Sequence, residues 1–185
     1  MSILKWLGLE QPSGEPVRGE SGEAPGGTRG LREIVDRLDD MEPGHARYVA
    51  GFAYILGRVA HAEEGISEGE TAAMERLVRE AGRLPEEEAI LVVRMAKTHN
   101  QLFGGTENFL VTREFADTAD REQKEALLDC LYAVSAADES VSSVEDTEIR
   151  KIAAELGLEH RDVIRARSRY REYLDVLKRG RGEED

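Results

Sequence analysis

Apolar residues recur along this chain at the i, i+3, i+4 spacing that places them on one face of an α-helix. Together with Gly, Pro and acidic residues at its breaks, this pattern predicts a series of helices. Their ranges are 31–41, 46–61, 67–81, 85–101, 106–118, 120–137 and 143–156, followed by a last helix with Val163, Ile164, Tyr170, Leu174 and Leu177 on its inner face. We therefore predict an all-α fold.

The predicted helical domain spans residues 31–178, and the segments outside it differ from it in character. Residues 1–9, MSILKWLGL, predict a short amphipathic segment, either docked on the domain's own surface or anchored to a partner or a membrane surface. Residues 10–30 are rich in Gly, Pro, Glu and Ser and predict a disordered linker, because so few apolar residues cannot offset the entropy of ordering. Residues 179–185 are expected to form a frayed tail.

Charge and composition exclude several classes of protein. The chain carries 25 Lys and Arg residues against 38 Asp and Glu, a net charge of −13, so its field repels nucleic acids and anionic lipids. No apolar run is long enough to span a bilayer, and residues 1–9 are too short for the apolar part of a secretory signal. We expect a cytoplasmic protein without a transmembrane segment. Its single cysteine, Cys130, forms no disulfide within the chain.

An internal repeat is the most informative feature of the sequence. Residues 59–70, VAHAEEGISEGE, align with residues 134–145, VSAADESVSSVE, and the agreement extends into the flanking helices. The identical pairs include Val59/Val134, Ala62/Ala137, Glu64/Glu139, Ser67/Ser142, Glu70/Glu145, Glu80/Glu155 and Gly82/Gly157. A helix, acidic loop, helix unit thus occurs twice. Because neither unit buries its apolar stripe alone, we predict a helical bundle in which the two pack around a pseudo-twofold axis.

The two acidic loops are candidates for a divalent-cation site. Glu63 and Asp138 open the loops, Glu70 and Glu145 close them, and hard cations such as Ca²⁺ or Mg²⁺ take oxygen ligands of this kind. The spacing differs from the twelve-residue EF-hand loop with its closing Glu. The predicted metal ligands are therefore these four carboxylates, completed by backbone carbonyls and water.

Helix capping is a second interpretation of the same residues. Ser67 with Glu70, and Ser142 with Glu145, both match the S-x-x-E capping box, in which the Ser and Glu side chains accept from each other's backbone amides. The two interpretations are compatible, since a capping carboxylate has a second oxygen. Capping does not account for Glu63 and Asp138, which are the residues that test for metal.

Both units resemble the TerB-like tellurite-resistance family. The likeness is carried by AADESVSSVEDTEIRKIAAELGL at 136–158 and by AHAEEGISEGETAAMERLVREAG at 60–82, and it extends over about residues 46–178. The amino-terminal region of the DjlA co-chaperones belongs to the same broad group. The Asp-Gly usual in the family's loops is Glu-Glu-Gly at 63–65 and Asp-Glu-Ser at 138–140, so each loop retains only part of it.

The resemblance implies an all-helical domain whose acidic cluster holds a divalent cation and which acts in stress-response complexes, often at the inner face of the membrane. The function expected first is a non-enzymatic interaction module that docks a cation, Ca²⁺ or another, or a basic protein partner. The alternative is a DjlA-like regulatory domain, peripheral to the inner membrane, that recruits a membrane or chaperone complex through residues 1–9.

Other chemistry has weak support in the sequence. The histidines His45, His61, His99 and His160 are scattered and match no zinc motif, and no glycine-rich phosphate-binding loop is present. A hydrolase that uses His61 or Cys130 is a third hypothesis, and we expect no enzyme. The last helix is rich in arginine, and such a run is usually solvated surface or paired within the molecule.

Overall fold

The computed structural model describes residues 25–60, 68–98, 108–137 and 140–174. Eight α-helices occupy these ranges: α1 Pro25–Asp39, α2 Pro43–Ala60, α3 Glu68–Glu80, α4 Glu86–Lys97, α5 Asn108–Thr118, α6 Arg121–Ser135, α7 Ser143–Glu155 and α8 His160–Ser168. A 3₁₀ turn, Arg171–Tyr173, follows α8. The predicted all-α fold is confirmed, and none of the described helices is both long and apolar enough to cross a membrane.

Helix α2 is the centre of the domain. It packs against α1, α4, α5, α6 and α7. Its own buried residues are apolar or small and lie on nearly all of its faces, as expected of a helix buried all round. Phe52 and Ile55 are completely buried. A Cβ added to Gly51 would lie 2.8 Å from Cδ2 of Phe115, so the missing side chain allows α5 to approach closely.

The predicted start and end of the second unit are confirmed in atomic detail. Asp120 and Gln123 form the capping box of α6, in which the Gln123 amide donates to Asp120 Oδ1 and the Asp120 amide donates to Gln123 Oε1, both at 2.8 Å. Helix α7 ends at Glu155, and Gly157, two residues further on, has a φ of 71°, a left-handed conformation. The Leu158 amide reaches the Ala153 carbonyl at 2.9 Å, which completes a Schellman motif.

The aligned glycine of the first unit has a different role. After α3 the left-handed residue is Arg83, with a φ of 56°, and not Gly82. Gly82 is buried, and a Cβ there would lie 2.8 Å from Cζ of Phe52 and would also clash with the Val78 carbonyl oxygen. The first unit therefore requires this glycine for close packing, whereas the second requires Gly157 for backbone conformation.

The packing of the two units contains pairs that a twofold axis would exchange. Helix α2 packs against α7 while α6 packs against α3, and α2 packs against α4 while α6 packs against α8. Helices α2 and α6 also pack against each other. The pseudo-twofold axis itself stays a prediction.

Several helix boundaries differ from the sequence prediction, most of all those of α1, α4 and α8. Helix α1 begins at Pro25 rather than residue 31, so residues 25–30 of the predicted linker are helical, with proline at the first position where its missing amide costs nothing. Helix α4 ends at Lys97, where the Thr98 hydroxyl donates to the Arg94 carbonyl at 3.0 Å. Helix α8 ends at Ser168, well before the expected end near residue 177.

The prediction for the inner face of the last helix is partly wrong. Ile164 is 54% exposed, because the face of α8 that meets the domain carries Val163 and Ala166 instead. Leu174 is buried, but through a parallel β-bridge with Val141 and not through a helix. Residues 1–24 and 175–185 lie outside the described ranges, so the segment boundaries predicted there stay predictions.

Candidate functional site

The second acidic loop is held at both of its ends. At its start, the Ala137 amide donates to the Val134 carbonyl at 3.1 Å, which closes the last turn of α6. At its far end, the Val141 amide donates to the Tyr173 carbonyl at 2.7 Å, so the segment after α8 is paired with the loop. Asp138 and Glu139, which lie between these two anchors, are outside the described residues.

Glu145 forms the capping box that the sequence predicts. Its Oε2 accepts from the Ser142 amide at 3.0 Å, and Ser142 Oγ accepts from the Glu145 amide at 3.1 Å. The capping interpretation is thereby confirmed for the second unit. The cap also fixes the Glu145 carboxylate at the first turn of α7, next to the loop.

The remaining predicted ligands are not described in full. The backbone of Glu70 lies in the first turn of α3, but its side chain, like all of Glu63 and Asp138, lies outside the described residues. Among the side chains that are described, no group of three His, Cys, Asp or Glu residues is arranged to hold a metal ion. The four-carboxylate cation site stays a prediction.

Asp146, the residue after Glu145, is the centre of a buried polar cluster that the sequence analysis missed. It is only 5% exposed. Arg167 donates to both of its oxygens, through Nε at 2.9 Å and Nη2 at 3.1 Å, and the Tyr132 hydroxyl donates to Oδ1 at 3.0 Å. Burial and the Asp146 carboxylate raise the pKa of Tyr132, which keeps the hydroxyl protonated as a donor. The cluster joins α7 to α6 and α8.

Arg58, near the end of α2, is the centre of a second buried cluster. Its guanidinium, 6% exposed, donates to Glu155 Oε2 at 2.7 Å, to Glu148 Oε1 at 3.0 Å through Nε, and to Thr112 Oγ1 at 2.8 Å. Desolvation opposes the charged form, but the hydrogen bonds that Arg58 donates to Glu155 and Glu148 outweigh it and raise the pKa of Arg58. This cluster ties the first unit to α7 of the second and to α5.

The sequence carries almost no local signal for either cluster. Glu155 matches Glu80 in the repeat, yet Glu80 is exposed on α3, and its ion pair among the described residues is with its neighbour Arg79 at 3.5 Å. Identity between the units therefore does not imply the same contact. A buried arginine at the end of an otherwise apolar helix is the one hint that Arg58 requires carboxylate partners.

Most of the basic run on α8 is paired with carboxylates of α6 and α7. Arg165 pairs with Glu125 at 2.9 Å, and Arg169, just after α8, pairs with Asp129; both carboxylates lie on α6. Asp162, nearly fully buried, accepts from the Glu159 amide at 2.9 Å and from Arg121 at 2.9 Å. The amide of Glu159, reinforced by the Arg121 and Arg165 charges, lowers the pKa of Asp162. Of the two alternatives for this run, solvated surface or pairing within the molecule, the second is confirmed for Arg165, Arg167 and Arg169.

The candidate nucleophile and the one described histidine of α2 are both engaged in packing. Cys130 is completely buried, and desolvation raises the pKa of its thiol, so the reactive thiolate is disfavoured and out of reach of solvent. The ring of His45 lies 2.7 Å from Glu88 Oε1 and stacks on Tyr48 with the centroids 6.1 Å apart. His61 lies outside the described residues.

Comparison with known proteins gives one match. The model of the family described as tellurite resistance protein TerB matches residues 50–168. Searches of curated proteins and of solved structures found no match. The matched range takes in both repeated units, from the central helix α2 to the end of α8. Because it covers more than half of the chain, the chain belongs to the TerB family.

Proposed function

We propose that this chain is a non-enzymatic, cytoplasmic interaction module for stress response, whose acidic loops bind a divalent cation, with Ca²⁺ the first candidate. The observation that supports this best is the anchored second loop. The Tyr173 carbonyl and the Ser142–Glu145 capping box hold its far end, and Asp138 lies just before them. Such a loop loses little conformational entropy when carboxylate and backbone oxygens gather around an ion.

Electrostatics favour a cation at these loops over an anionic ligand. The net charge is −13, and the arginines of α8 are largely neutralised by carboxylates of the domain itself. The carboxylates of the two loops are part of this negative charge. A hard cation, or a basic segment of a protein partner, would relieve the repulsion among them.

The Glu145→Gln variant separates cation binding from helix capping. Glutamine keeps an oxygen that accepts from the Ser142 amide, as Gln123 does from Asp120 at the start of α6. We therefore expect the melting temperature without metal to change little. Saturating Ca²⁺, at about one hundred times its dissociation constant, should stabilise the wild type by about 2.7 kcal/mol and the variant by clearly less.

The Asp138→Asn variant completes the test. It should abolish most of the Ca²⁺ response while leaving the melting temperature without metal unchanged, and Asp36→Asn, at an exposed position on α1, serves as the matched control. Thermal melts with Ca²⁺, Mg²⁺ and chelator provide the measurement. Identical melts of the wild type with metal and with chelator would contradict the proposal, as would full responses from both loop variants.

The alternative function is a regulatory domain recruited to a membrane or chaperone complex, as the DjlA likeness suggests. It is favoured by the apolar face of residues 1–9, which lie outside the described residues. If it holds, Leu4→Ser with Leu7→Ser should move the protein out of the membrane or chaperone-bound fraction, because the apolar face is lost. Lys5→Ser keeps that face and is the control. Fractionation that is equal for both variants would exclude this alternative.

A further inference from the structure

A groove between α7 and α8 combines positive charge with an apolar floor. Its volume is about 460 Å³. It is lined by the exposed basic side chains Arg150, Lys151 and His160 at its rim, by the exposed Ala154, and by Leu158 and Val163, which are buried and form its floor. We call this surface the cationic groove. It differs in charge from the protein as a whole, whose net charge is strongly negative.

The first repeated unit has a groove at the equivalent place, and the comparison shows what is special about the second. A smaller groove of about 180 Å³ lies between α3 and α4 and is lined by Glu75, Arg76 and Arg79 among others. The repeat aligns these residues, in order, with Arg150, Lys151 and Ala154. The mixed charges of the first groove are thus replaced by two cations and a small apolar residue in the second.

The rim cations are weakly engaged by the protein itself. Arg150 lies 3.9 Å from Asp146, and Lys151 lies 3.6 Å from Glu148, distances at the outer limit for ion pairs. Both carboxylates already bind other arginines more closely, Asp146 through Arg167 and Glu148 through Arg58. The Arg150 and Lys151 side chains are 58% and 64% exposed. Their charge is therefore directed mainly at solvent.

Exposed apolar side chains extend the same surface. Val144 and Ile164 are each 54% exposed. Val144 precedes Lys151 by two helical turns on α7, and Ile164 follows His160 by one turn on α8, so each shares a helix face with a rim residue. An apolar strip with cations beside it matches the surface of an amphipathic helix that carries carboxylates.

We propose that the cationic groove docks an amphipathic helix of a partner protein whose acidic residues pair with Arg150 and Lys151 and whose apolar face covers the exposed side chains of Val144, Ala154 and Ile164. Charge complementarity selects this partner. An anionic membrane would place a broad negative surface against the whole acidic protein, which would repel it. A single acidic helix in the groove lies close to Arg150 and Lys151, and salt screens it from the more distant negative charges of the protein. This proposal is independent of cation binding at the loops.

A designed peptide tests the docking directly. The probe is a fluorescein-labelled synthetic helix with leucine on one face and glutamate on the other, titrated with the full chain by fluorescence anisotropy. Arg150→Glu combined with Lys151→Glu should weaken binding at least about tenfold. Arg76→Glu, at the equivalent position of the smaller groove, should leave the affinity unchanged. Raising the salt concentration should weaken binding of the wild type.

Charge reversal of the peptide provides the decisive comparison. A peptide with lysine in place of glutamate should bind the Arg150→Glu, Lys151→Glu variant better than the wild type. If that variant melts early, Arg150→Ala replaces it, since the Arg150 side chain is mostly exposed. Equal affinity of the groove and control variants would overturn the proposal. Tighter binding to phosphatidylglycerol vesicles than to the peptide would also overturn it. So would changes in the NMR chemical shifts of the α7 and α8 amides when residues 1–9 are deleted, because such changes would assign the groove to the chain's own segment.

Discussion

Replacing Arg58 with methionine should lower the free energy of unfolding by about 3 to 5 kcal/mol. The side chain is 94% removed from solvent at a place where three helices meet, and its guanidinium binds Glu148, Glu155 and Thr112. Methionine fills much of the same volume but leaves the carboxylates of Glu148 and Glu155, which are 22% and 24% exposed, without the guanidinium that binds both. Urea denaturation with a constant m value would measure the loss.

A surface ion pair provides the control for Arg58. Arg94 meets Glu33 at 2.9 Å, but the two side chains are 42% and 55% exposed, so Arg94→Met should cost less than about 1 kcal/mol. Adding Glu148→Gln and Glu155→Gln to Arg58→Met should recover part of the loss, because the stranded charges are removed. Equal losses from Arg58→Met and Arg94→Met would show that burial does not strengthen the Arg58 cluster.

Replacing Asp146 with alanine should cost about 3 kcal/mol, the second largest effect that we expect. The substitution leaves the buried Tyr132 hydroxyl without its acceptor and Arg167 without its two-point partner. Arg167 is partly exposed, so water compensates for some of its loss, and the effect should be smaller than that of Arg58→Met. Asp146→Asn should cost less, since the amide oxygen still accepts from Tyr132.

A double-mutant cycle would separate the contributions that the interactions of Asp146 make to the free energy of unfolding. Tyr132→Phe alone should cost about 1 kcal/mol, the usual contribution of one hydrogen bond. If Asp146 and Arg167 act through each other, their combined substitution should cost less than the sum of the two single changes. Asp129→Ala is the matched control, because its partner Arg169 is half exposed. An Asp146→Ala variant no less stable than Asp129→Ala would contradict the role given to the cluster.

The two clusters bear on the candidate cation site because both hold α7. Glu148 and Glu155 fasten this helix to α2, and Asp146 fastens it to α6 and α8. Glu145 lies in the first turn of the same helix. The carboxylate that closes the second acidic loop is thus carried by a helix that is fixed on both sides, which favours a preformed ligand position.

Local signals in the sequence account for the correct predictions. Asp120 with Gln123 and Ser142 with Glu145 mark helix starts through contacts three residues apart, and Gly157 marks a helix end through its own backbone conformation. The apolar spacing of α2 predicted a core-facing helix, and its burial confirms this. Such features depend on neighbouring residues alone, so they can be found without the fold.

The errors arise where distant parts of the chain compete for a residue. The helical pattern after residue 160 continues through Leu174, but the Val141 backbone pairs with the segment after α8 and draws Leu174 into a bridge. Ile164 fits a helical apolar stripe, yet the surface that would cover it is not supplied by the described part of the domain. Spacing alone cannot say which stripe a neighbouring helix will meet.

The sequence by itself determined the all-α fold, the duplicated unit of helix, acidic loop and helix, the caps of α6 and α7, and the likeness to the TerB family. Each of these follows from the spacing of nearby residues along the chain or from the alignment of one unit with the other. Only the tertiary structure decided that Arg58 meets Glu148 and Glu155, that Asp146 is buried under Arg167, and that a cationic groove separates α7 from α8. The physical reason is that a single charge is compatible with many partners in so charged a chain, and helix packing selects which carboxylate comes within reach.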